Sequence, residues 1–106
     1  MADERLIAAL DVPTRAAVEE LVARLGDSVS YYKVGMELFY ALGGDIVMWL
    51  KGEGKQVFLD LKLHDIPNTV AHACKVAAEM GVWLVDMHAS GGRRMMEAAA
   101  EAVANC

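Results

Sequence analysis

The chain has 106 residues, 56% of them hydrophobic and 24% charged, with 10 Lys and Arg against 15 Asp and Glu for a formal charge of −5. This apolar share with ordinary charge content excludes intrinsic disorder and bounds the chain to one compact unit with a modest core. The longest run free of Asp, Glu, Lys and Arg, Ile66 to Cys74, contains Pro67, Asn68, Thr69 and His72, so no segment reads as a membrane span, and the acidic balance argues against nucleic acid.

Met1-Ala2-Asp3-Glu4-Arg5 puts acidic residues where a secretory signal needs a basic stretch, which predicts a cytoplasmic protein. Leu6 to Leu10 is the first strand candidate, broken by Asp11-Val12-Pro13. Thr14 then caps a helix in which Val18, Leu21, Val22 and Leu25 fall at i, i+3, i+4 and i+7, and Gly26 ends it. Tyr31 to Gly35 reads as a second strand, and one helix after it buries Ile46, Trp49 and Leu50 before Gly52 and Gly54 close it. Val57 to Leu63 is the third strand. Pro67-Asn68-Thr69 opens a helix with Val70, Ala73, Cys74 and Ala77 on one side, ended by Gly81. Trp83 to His88 is the fourth strand, and after Gly91-Gly92 a last helix runs from Arg93, with Met95-Met96 and the following alanines as its core. Strand alternating with helix four times predicts βαβ units and a parallel sheet.

Cys74 and Cys106 lack metal-ligand spacing and read as a small core residue and a terminal thiol. His64, His72 and His88 show neither HxH nor HExxH spacing, so no metal site is expected. His72 reads as a solvated helix residue, and His88, at a strand end, as either structural or catalytic. Gly91-Gly92 reads as a tight turn, since the rest of a phosphate motif is missing around it.

Charge placement is the informative feature. Parallel strands covered by helices should be nearly continuous apolar runs. Yet each of the four carries a charged or ionisable residue near its C-terminal end: Asp11, Lys33, Asp60 with Lys62, and Asp86 with His88. In α/β sheets and barrels those ends form the functional face. Strand alternation puts Phe58, Asp60 and Lys62 on one face and Val57, Leu59 and Leu61 on the other. Such an array is either a catalytic constellation or an ion-pair network closing the mouth of the sheet.

The stretch Phe58-Leu59-Asp60-Leu61-Lys62-Leu63-His64-Asp65-Ile66-Pro67-Asn68-Thr69 closely resembles the orotidine 5′-phosphate decarboxylase family, whose hallmark is Asp-x-Lys-x-x-Asp followed by Ile-Pro-Asn-Thr. The resemblance extends to Ala9-Leu10-Asp11, Tyr32-Lys33-Val34-Gly35 and His88-Ala89-Ser90-Gly91-Gly92. It implies an α/β fold comprising the first four βα units of a TIM (β/α)8 barrel, and a cofactor-independent carboxy-lyase converting orotidine 5′-monophosphate to uridine 5′-monophosphate in pyrimidine synthesis. It further implies Lys62 as proton donor, Asp60 against the departing carboxylate, and Lys33 holding Asp60 and the ribose hydroxyls, with Asp11 also on the ribose. Asp65, Ile66 and Thr69 would reach the neighbouring subunit's site in a homodimer. Asp86 stands where the resemblance leads one to expect a neutral residue, and its role stays open.

A complete barrel takes about 250 residues, so residues 1–106 read as the N-terminal half of one barrel domain. The arginine grip on phosphate and the groups that read the pyrimidine would lie in the other half. An open half-barrel would expose two strand edges and an apolar inner face. The expectation is therefore part of a longer polypeptide, against a chain completed by another or two copies closing a pseudo-barrel. Two other functions compete with the decarboxylase: a non-catalytic half-barrel serving as an assembly module, and a related decarboxylase of a sugar-phosphate keto acid, against which Ile66-Pro67-Asn68-Thr69 argues.

Overall fold

The computed structural model describes residues 3–106, so the Met1-Ala2 portion of the N-terminal reading lies outside the described residues. Strands β1 (Ile7–Ala9), β2 (Tyr31–Gly35), β3 (Gln56–Leu63) and β4 (Leu84–Met87) form one parallel sheet in the order β1-β2-β3-β4. Doubly wound sheets reverse their strand order at a switch point, whereas a barrel adds each strand beside the last. The sheet therefore has the topology of four consecutive βα units of a TIM barrel.

The connecting helices are α1 (Arg15–Leu25), α2 (Met36–Leu42), α3 (Asp45–Gly52), α4 (Pro67–Glu79) and α5 (Arg93–Ala104). Helix α1 starts where the sequence predicts: the Ala17 amide donates to Thr14 Oγ1 at 3.1 Å, satisfying an amide that has no partner within the helix. It stops at Gly26, whose φ of +53° suits a residue without a Cβ. Pro67 occupies the first turn of α4, where a missing N–H costs nothing.

The second crossover corrects the single-helix expectation. Gly43, at φ +69°, divides it into α2 and α3, and the Gly43 amide closes α2 on the Phe39 carbonyl. Ile46 and Leu50 are buried as expected, with Val47 taking the third core position. Trp49 is only half-buried, because it lies on the flank of α3 with the Arg15 guanidinium 5.6 Å from its ring centre. The Met95-Met96 pair also divides: Met95 is fully buried and Met96 is 37% exposed, since consecutive helical residues point about 100° apart. Strand β1 is shorter than Leu6 to Leu10, and Leu6 is exposed.

Apolar residues of alternate strand positions make the core on one side of the sheet only. Tyr32, Val34, Val57 and Leu59 pack against Val18, Val22, Ile46 and Leu50, while Leu63, Val85 and Met87 cover a second cluster of Val70, Cys74, Met95 and Ala99. Burial pushes the Cys74 thiol pKa up, as its reading as a core residue requires. No helix among the described residues is long and apolar enough to cross a membrane. With the helices taking one face, the other face carries the alternate residues of each strand, and with them the charges.

Candidate active site

Parallel register brings the strand ends together. Ala9 pairs with Lys33, Lys33 with Phe58, and Gly35 with Asp60. Gly35 has open space where a Cβ would stand, so nothing on β2 fills the area beside Asp60. A cleft of about 380 Å³ opens there, lined by Asp11, Lys33, Asp60 and Lys62, with Met36 and Glu37 from the start of α2.

Asp60 is the centre of the cleft and is only 5% exposed. Its Oδ2 accepts from Lys62 Nζ at 2.7 Å and lies 3.2 Å from Lys33 Nζ, so one carboxylate oxygen serves two ammonium groups. A charge is tolerated in such a place only with partners. Its pKa falls to about 2, lowered first by a hydrogen bond with Asp86 and then by Lys62 and Lys33, against the opposing effect of burial. The same contact raises the Lys62 pKa, which keeps that side chain an ammonium at neutral pH. Asp86 moves oppositely: burial and the hydrogen bond with Asp60 raise its pKa.

Lys62 reaches this position through a distorted strand. Leu59 pairs with Val85 and Leu63 with Met87, so four residue steps on β3 match two on β4. The excess forms a bulge, and within it Lys62 adopts φ +52°, unusual for a residue with a long side chain. Its amide, removed from the ladder, donates to Asp86 Oδ1 at 3.1 Å. The straight-strand expectation for Phe58, Asp60 and Lys62 is thus corrected: Asp60 and Lys62 do meet, across a bulge.

Asp65, Ile66 and Thr69 are not part of this cleft. All three are exposed at the entry to α4, with Ile66 65% exposed and its amide donating to Asp65 Oδ1 at 2.7 Å. His72 is exposed on α4, while His88 and His64 sit with ring centres 5.4 Å apart. The Gly91 and Gly92 amides donate to the His88 and Ala89 carbonyls, so they close a turn as expected. Among the described residues no group of three or more His, Cys, Asp and Glu side chains converges as a metal site. Met36 and Glu37 were missed by sequence reasoning, although their place directly after a strand's C-terminal end was a usable signal.

A fixed ammonium beside a carboxylate, at the open end of a parallel sheet, equips a site to bind an anion and deliver a proton. Residues 4–106 match the model of the Orotidine 5'-phosphate decarboxylase / HUMPS family. The chain is 66% identical over 101 residues to an orotidine 5'-phosphate decarboxylase of Laribacter hongkongensis, covering 95% of this chain and 42% of that relative. Among solved structures it resembles an uncharacterized conserved protein from Geobacillus kaustophilus, with a TM-score of 0.86 at 54% identity over 91% of this chain and 45% of that one. It also resembles orotidine 5'-phosphate decarboxylase from Lactobacillus acidophilus, with a TM-score of 0.84 at 41% identity over 92% of this chain and 44% of that one. The chain belongs to the Orotidine 5'-phosphate decarboxylase / HUMPS family, and spans less than half the length of these relatives.

Proposed function

We propose that this chain supplies the catalytic charge array of an orotidine 5′-monophosphate decarboxylase, as the N-terminal half of one (β/α)8 barrel domain. The observation that carries the reading is Asp60 held between the ammonium groups of Lys33 and Lys62 beside an open cleft. Breaking the bond between the pyrimidine ring and CO₂ leaves an electron pair on the ring carbon with no adjacent carbonyl or iminium to spread it. Stabilisation must come from a fixed positive charge, which Lys62 provides before passing its proton to that carbon. The resulting neutral amine regains a proton from water. Asp60 would lie against the departing carboxylate, while Lys33 orients Asp60 and, with Asp11, binds the ribose hydroxyls.

The exposed group Asp65, Ile66 and Thr69 fits a role outside its own cleft, reaching the site of a second subunit. Phosphate binding in such barrels commonly uses the loops after strands seven and eight, which belong to the other half. The binding energy of that remote group closes the site and places the ring.

Replacing Lys62 by Ala in the full-length protein should lower kcat by at least about 10³-fold while nucleotide binding remains measurable by calorimetry. Normal decarboxylation by that variant would overturn the proposal. The 106-residue chain alone, given orotidine monophosphate, should show no loss of absorbance. Turnover by it would refute the assignment of essential substrate-binding groups to the other half.

A further inference from the structure

Three observations converge on a residue to which the proposed chemistry gives no role. Asp60 Oδ2 is shared by two ammonium groups, yet its Oδ1 is buried and has no hydrogen-bond partner. Asp86, half-buried on the neighbouring strand, stands near enough to Asp60 for hydrogen bonding between the two carboxyls to lower the Asp60 pKa and raise its own. Asp86 Oδ1 also accepts the amide of Lys62, the residue at φ +52° in the bulge.

We propose that Asp86 is a positioning residue of this site: as a neutral carboxyl it donates a hydrogen bond to Asp60 Oδ1 and accepts the Lys62 amide, so that one side chain fixes both members of the catalytic pair.

The argument is one of charge and hydrogen-bond supply. Two carboxylates in contact cannot both stay ionised without cost, so a proton is shared between them. Asp60 has Lys33 and Lys62 as ion-pair partners within 4 Å, and among the described residues Asp86 has none, so the proton resides on Asp86. A buried oxygen without a donor has lost its hydration with nothing in return, and the Asp86 hydroxyl removes that cost at Oδ1. The same geometry leaves the group of Lys33, Asp60 and Lys62 with one net positive charge. An ionised Asp86 would cancel it.

The bulge explains the second contact. The extra residues on β3 take the Lys62 amide out of the strand ladder, and a side chain from β4 must satisfy it. A residue with positive φ persists where its surroundings hold it. The titratable and charged groups facing Asp86 are Asp60 and Lys62 from β3, with Lys33 reaching Asp60 from β2. His88 follows two positions along β4, and the helices pack against the opposite face of the sheet.

The role of Asp86 in turnover rests on the decarboxylase reading, whereas its protonation does not, and the test separates the two. Infrared spectra of the full-length protein with isotopically labelled aspartate, taken at neutral pH, should contain a protonated-carboxyl band. That band should be missing in Asp86→Asn and fade in the parent as pH rises; a parent spectrum with only ionised carboxylate overturns the proposal. In turnover, Asp86→Leu should lower kcat by about 10-fold to 100-fold with little change in KM, as loss of an orienting partner does. Asp86→Asn, which can both donate to Asp60 and accept from Lys62, should recover most of that loss. Equal impairment of the Asn and Leu variants would overturn the positioning role. If Lys62→Ala turned over normally, the proton-donor role of Lys62 alone would fall, and if the full-length parent did not turn over orotidine monophosphate the decarboxylase reading would fall; the infrared result would stand independently of both. The infrared measurement needs only the parent and the isosteric variant, so misfolding of Asp86→Leu would not affect it.

Discussion

At the scale of single residues, the site is a problem in placing charge where water is scarce. Asp60 is nearly buried and stays ionised because hydrogen bonding with Asp86 and two ammonium groups favour its charged form. A lowered carboxylate pKa stabilises the fold fully above its ordinary value of 3.8, and that contribution is lost as pH falls toward about 2. Asp86 has the opposite sign: with its pKa raised, the folded state holds a proton that the unfolded state releases above 3.8, so its effect on stability becomes unfavourable as pH rises. Asp86→Asn should therefore be more stable than the parent at neutral pH in urea unfolding, with the difference disappearing below that ordinary value. A constant difference across the range would contradict the linkage. Lys62 carries a separate cost, since its φ of +52° disfavours any residue with a Cβ. Both Lys62→Gly and Lys62→Ala lose the ammonium, so comparing them isolates the backbone. The Gly variant should be more stable than the Ala variant by about 1 kcal/mol, and equal urea midpoints would refute the strain.

Among elements, what matters is how strand ends are joined to helices. The turn before α5 is tight because a Cβ at Gly91 would overlap the Sδ and Cε of Met95 and stand 3.3 Å from a His64 ring carbon. Met95 is fully buried in the cluster with Val70, Cys74 and Ala99, so it has little room to withdraw. Gly91→Ala should destabilise the protein by about 1–3 kcal/mol, the usual range for overpacking, measurable as a lowered thermal midpoint. An unchanged midpoint would show that Met95 repacks freely. Much of this level was legible in the residues: Thr14, Gly26, Pro67 and the alternation along β2 marked their elements because caps and periodicity act over a few positions. The break at Gly43 was not, since a glycine inside an apolar stretch is equally consistent with a continuing helix, and only packing of α2 and α3 decides.

For the whole molecule, the sheet has two edges, β1 pairing only with β2 and β4 only with β3 among the described residues. Its open face also presents Leu84, 43% exposed on β4. Unpaired strand edges beside apolar surface are templates for association. The 106-residue chain alone should self-associate in a concentration-dependent way in sedimentation experiments, and Leu84→Lys should weaken that association. A strictly monomeric parent chain at all concentrations would show that the open face is tolerated. The same openness supports the reading that this chain works with the remainder of a barrel, where those edges and that face are covered.

The residues alone determined the four-fold alternation of strand and helix, the gathering of charge at strand ends, and the Asp60-x-Lys62-x-x-Asp65 motif with its family resemblance. These are local properties, encoded in spacings of two to four residues. Only the tertiary structure decided that β3 carries a bulge, that Lys62 takes a left-handed backbone there, and that Asp86 meets both Asp60 and Lys62. Those features arise from register between neighbouring strands. Register depends on contacts some 24 residues apart in the chain, and no local periodicity records which side chains such contacts bring together.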